Sequence, residues 1–74
     1  MQPYERSKLT KEVFLLEIEL QSQERLCKTF TNLAELSEGK LADDYTDQAS
    51  EYSYEAEKLR NTILKKINQL IDKV

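Results

Sequence analysis

A single glycine in the middle of the chain, flanked by two long helical patterns, constrains this sequence more than any other feature. Gly39 stands in Leu36-Ser37-Glu38-Gly39-Lys40-Leu41, and the 74 residues contain no other glycine and one proline, Pro3. Helix interiors disfavour glycine, whereas helix ends favour it because it enters the left-handed region without steric cost. Pro3 lies at the start, so nothing else interrupts the chain. The expectation is an all-α fold: a two-helix antiparallel hairpin with coiled-coil-like packing and its turn at about Ser37 to Leu41. One continuous helix is the structural alternative, since glycine in a helix interior costs only about 1 kcal/mol.

The apolar pattern supports the hairpin. Val13, Leu16, Leu20, Gln23, Cys27, Phe30 and Ala34 recur at alternating spacings of three and four, the period of one helix face. Tyr45, Ala49, Tyr52, Ala56, Leu59, Ile63, Lys66 and Leu70 repeat that spacing after the glycine. Folding the chain at Gly39 pairs residues whose numbers sum to about 79, so that Phe30 faces Ala49, Cys27 faces Tyr52, Gln23 faces Ala56, Leu20 faces Leu59 and Leu16 faces Ile63. Near the turn, large residues meet small ones, as helix packing requires. Residues 1 to 9 read as a flexible polar tail and residues 10 to 74 as the hairpin, with helix 1 over about 10–37 and helix 2 over about 42–73. Thr10 is the expected N-cap of helix 1, with Leu9 before it packing on Phe14 as a hydrophobic staple. Asp43, Asp44 and Asp47 are expected to favour the start of helix 2, and Lys65, Lys66 and Lys73 its end, through the helix dipole.

Composition excludes several functions. The net charge is −3 and there is no histidine. An acidic balance argues against nucleic-acid binding, which requires phosphate neutralisation. No apolar run approaches the roughly 20 residues of a membrane span. The first residues, Met1-Gln2-Pro3-Tyr4-Glu5-Arg6, carry no apolar export signal. With the single Cys27 expected reduced, this points to the cytoplasm. One cysteine precludes an internal disulfide, and without histidine a zinc site is not expected. No Ser–His or Cys–His pairing, glycine-rich phosphate loop or metal-ligand spacing occurs, so catalytic residues, cofactors and metals are all expected to be none. Glu17 and Glu19 point to different sides of a helix, and Cys27 falls on the seam as a small buried hydrophobe.

A hairpin of this size builds a marginal core and needs a partner. The surplus of apolar residues lies at the open end. Phe14, Leu15 and Ile18 accompany the seam of helix 1, and Leu64, Ile67 and Ile71 that of helix 2. Two helices cannot bury all six, and a large exposed apolar patch marks an interface. Charge is also divided: residues 43–57 carry six acidic and no basic side chains, and residues 58–74 five basic against Asp72. The acidic run is either a solvated helix start or, with Tyr45, Tyr52 and Tyr54, a surface that steers a basic partner; Tyr54, off the seam, is a further contact candidate. The expected partner-binding set is therefore Phe14, Leu15, Ile18, Tyr54, Leu64, Ile67 and Ile71. The partner is either another helical protein or a second copy, the latter giving a homodimeric four-helix bundle.

The whole-chain layout, the Glu38-Gly39-Lys40 turn, and a second helix opening with Asp43-Asp44-Tyr45 before an Ala56/Leu59/Ile63 seam resemble the small needle-subunit co-chaperones of bacterial type III secretion systems, the YscE-type family. The resemblance covers residues 10 to 74. It implies a cytoplasmic co-chaperone that pairs with a larger helical-repeat chaperone, the two together keeping a needle subunit monomeric. By that analogy the open-end apolar face docks on the larger chaperone.

Overall fold

Pro3 opens the first helix. The structure is a computed structural model and describes residues 2–72. It holds two helices, α1 (Pro3–Leu36) and α2 (Gly39–Asp72). Gln2 is the N-cap, with extended backbone (φ −70°, ψ 147°), and its carbonyl accepts the amide of Arg6 at 3.1 Å. A proline suits this position because its ring presets a helical φ and its missing N–H would be unpaired there in any case. The expected polar tail before Thr10 is thus helical over residues 3–9. Extending an existing helix costs little once it is nucleated. Thr10 is not a cap. Its hydroxyl donates to the Arg6 carbonyl one turn back, 2.8 Å away. Thr29, Thr31, Thr46 and Thr62 make the same i−4 bond, which lets a β-branched polar residue sit inside a helix with its hydroxyl satisfied.

The reversal occurs where expected. α1 ends at Leu36, Ser37 turns extended (φ −113°, ψ 167°), and its amide donates to the Ala34 carbonyl at 3.3 Å. Gly39 adopts φ +63°, the left-handed conformation that an L side chain resists. It leads into α2 rather than capping α1 directly, so the connection is shorter than the expected Ser37–Leu41 turn. As a consequence, no acidic residue lies in the first turn of α2. Asp43 and Asp44 sit one turn in, which weakens the expected dipole complement. The last described turn of α2 likewise carries no basic residue, and Lys73 lies outside the described residues.

The helices pack antiparallel along their length in a rod of 56 × 15 × 11 Å. The seam is a strict heptad on both helices. Leu9, Leu16, Gln23 and Phe30 alternate with Val13, Leu20, Cys27 and Ala34 on α1. Ala42, Ala49, Ala56, Ile63 and Leu70 alternate with Tyr45, Tyr52, Leu59 and Lys66 on α2. All of them are buried or half-buried, and a 3.5-residue repeat of this kind is the seam of a left-handed coiled coil. Among the described residues, only Ala49, Ala56 and Ile63 are buried, Ala56 to 1% exposure. All three are on α2 and seven residues apart, and α1 has no fully buried residue. The register also agrees: Glu12 and Lys66 meet at 2.9 Å, within one residue of the expected pairing. Phe30 lies against both Tyr45 and Tyr52, with centroids 5.9 and 5.5 Å away. It therefore straddles Ala49, its expected opposite.

Candidate protein-binding face

The seam divides the hairpin surface into two broad sides. One side is marked by the residues that immediately follow Leu16, Gln23 and Phe30 on α1 and Tyr45, Tyr52, Leu59 and Lys66 on α2. These are Glu17, Glu24 and Thr31 from α1, and Thr46, Ser53, Arg60 and Ile67 from α2. The Arg60 guanidinium reaches the Glu24 carboxylate at 3.5 Å, so the two rows flank the seam on the same side. Behind them run Phe14, Gln21 and Lys28 on α1, and Ser50, Glu57, Leu64 and Ile71 on α2.

This geometry separates the seven candidate residues. Phe14, Leu64, Ile67 and Ile71 share one side at the open end. Phe14 is 60% exposed, Leu64 57% and Ile71 64%, while Ile67 is half-buried beside the seam. Ile18 stands one turn from Phe14 on the outer edge of α1 and is half-exposed. Leu15 belongs to the opposite side, which also carries exposed Leu26 and Leu41. Tyr54 is on the outer edge of α2, well away from the open end. The Lys58 ammonium sits 4.9 Å from its ring centroid, a cation–π contact at an exposed site.

Toward the turn, the side bearing Phe14 and Leu64 changes character. An open groove of about 460 Å³ is lined by Cys27, Thr31, Ala34, Glu35, Thr46, Ala49, Ser50 and Ser53. A second, smaller groove lined by Glu24, Cys27, Lys28, Ser53, Ala56 and Arg60 continues it along the rod. The small side chains of both helices leave this trough beside the seam. Ala49 and Ala56, expected as seam residues, also line this trough, which the seam pattern alone does not reveal. The available signal was the recurrence of Thr46, Ala49, Ser50 and Ser53 at spacings of three and four, in register with Thr31 and Ala34.

Charge follows the same long axis. Residues 24–57, the turn half, hold nine acidic and three basic side chains, while the two open-end segments hold seven basic and five acidic among the described residues. At the open end, Lys66 hydrogen-bonds to Glu12 across the seam. That hydrogen bond lowers the Glu12 carboxyl below its ordinary value. Partial desolvation opposes the shift, and the charges of Lys66 and Lys8 reinforce it. Mid-seam, the Gln23 amide oxygen is buried without a protein hydrogen-bond partner among the described residues.

Among the described residues, no group of three or more His, Cys, Asp or Glu side chains is placed to hold a metal, and no helix is long and apolar enough to cross a membrane. What the side bearing Phe14 and Leu64 offers is apolar contact area at the open pole and a shallow trough toward the turn. No protein-family model, curated protein or solved structure matches the chain.

Proposed function

We propose that this hairpin is a non-enzymatic protein-binding module, a small cytoplasmic co-chaperone that lays its open-end apolar face on a larger helical protein. One observation carries the reading: Phe14, Leu64, Ile67 and Ile71, from both helices, lie on one side of the rod with three of them more than half exposed. A core with three buried residues among those described supplies little stability of its own, and docking adds to it by mass action. Along the type III secretion resemblance, the larger protein is a helical-repeat chaperone that holds a needle subunit. Covering the amphipathic helix of that subunit blocks its polymerisation.

The test is co-purification with the needle subunit and helical-repeat chaperone of the same genome. A complex that forms with the native chain and is lost with Leu64→Glu or Ile71→Glu, while both variants remain helical by circular dichroism, supports the reading. A genome with no such apparatus, or unaltered binding by both variants, ends it.

A further inference from the structure

We infer that the chain, in the absence of another partner, pairs with a second copy of itself in an antiparallel, two-fold dimer over the side that carries Phe14 and Arg60. The inference goes beyond the co-chaperone reading and does not rest on it.

Three observations choose this occupant and orientation. First, the side is self-complementary end to end. Its open half projects Phe14, Leu64 and Ile67, and its turn half is a trough floored by Ala34 and Ala49 and rimmed by Thr46 and Ser50. Turning a second copy end over end sets each bulky pole into the partner's trough, at the level where Leu64 of one copy faces Ser50 of the other. Packing large residues over small ones is how helices approach closely. Second, on this side the turn half carries Glu24, Glu35, Asp43 and Glu57 against Lys28, while the open half carries Glu17 and Arg60 and is balanced. A parallel pairing would instead set the two acidic turn halves against each other, and like-charge juxtaposition of that kind selects the end-over-end arrangement. Third, the area suffices. A face of 56 × 15 Å is close to the ~800 Å² per partner of a stable interface. The two-fold axis passes near Glu24 and Glu57, and Arg60, held on Glu24 at 3.5 Å, brings a cation to each copy there.

The resulting assembly is a closed four-helix bundle. A heterologous partner that covers Phe14 and Leu64 must displace the second copy, so self-pairing sets a threshold for that binding.

Sedimentation equilibrium and disulfide trapping on the full chain test this. The chain is expected to sediment as a monomer–dimer equilibrium. Ser50→Arg, which fills the trough from an exposed position, is expected to weaken dimerisation by at least roughly tenfold without loss of helicity. In a Cys27→Ser background, the double variant Ser50→Cys/Leu64→Cys is expected to form covalent dimers on oxidation. Within one chain these positions are about 21 Å apart along the rod, at about 1.5 Å per residue, so they cannot close on themselves. Leu64→Cys alone is expected to remain uncrosslinked. A monomer at all concentrations, assembly beyond the dimer, indifference to Ser50→Arg, or efficient trapping by Leu64→Cys alone would each overturn the inference. A monomer that still binds the larger helical protein would overturn self-pairing and leave the functional reading standing. A dimer that binds no such protein would do the reverse.

Discussion

Phe30 of α1 stacks on Tyr52 of α2 with ring centroids 5.5 Å apart and planes 13° from parallel, and this pair, with Tyr45 beyond it, clamps the turn half of the hairpin. The rest of the seam in that half is built from Cys27, Ala34, Ala42, Ala49 and Ala56, small side chains that bury little area each. Phe30→Ala is therefore expected to cost about 2–3 kcal/mol, below the usual range for a fully buried phenylalanine because the ring is half-exposed. Thermal unfolding followed by circular dichroism reads the loss, and a variant as stable as the native chain would show that the stack contributes nothing.

Ala56 is the most buried of the described residues, at 1% exposure, and sits on the seam at the level of Gln23. A larger side chain there must either separate the helices or turn out of the seam into the open groove beside it. Ala56→Leu is expected to destabilise by about 1–3 kcal/mol, despite the better helix propensity and greater hydrophobicity that a surface leucine would bring. Urea titration measures it.

Gln23 presents the opposite case. Its amide oxygen is buried without a protein partner, and an unmade hydrogen bond in such a place costs about 1–3 kcal/mol. Gln23→Leu is expected to raise stability by about 1 kcal/mol, read as a higher denaturant midpoint at unchanged slope.

Gly39 holds φ +63°, and a Cβ built there meets nothing within 4 Å. Any effect of Gly39→Ala must therefore come from the backbone, not from a clash. The expected loss is about 1–2 kcal/mol. D-Alanine introduced by chemical ligation takes the same φ without strain and is expected to restore stability or exceed it. Equal effects of the two enantiomers would contradict this account.

Acid weakens the open end. The hydrogen bond from Lys66 holds the Glu12 carboxyl below the ordinary glutamate value of 4.5. A group depressed in the folded chain contributes stability that is fully present above its unfolded pKa and fades as pH falls through the folded one. The native chain is thus expected to lose stability below about pH 4.5. Glu12→Gln, less stable at neutral pH, should show a shallower acid decline. Melting curves of the two chains across that window decide it.

Much of this architecture was legible in the order of residues. The seam from Val13 to Ala34 and from Tyr45 to Leu70, its register, and the left-handed Gly39 follow from local preference and period, which a linear sequence records directly. The start of α1 was not legible, because Tyr4 to Lys8 present no apolar stripe and the cap is Gln2 with Pro3 rather than Thr10. Nor could the sequence sort the surplus apolar residues. Phe14 and Leu15 are neighbours in the chain but stand on opposite sides of the hairpin, while Phe14 and Leu64, fifty positions apart, share one. Period alone states which residues face the other helix. Which flank of α1 lies beside which flank of α2, and where small residues of both open a trough, depends on the direction and hand with which two helices cross, and only their packing decides that.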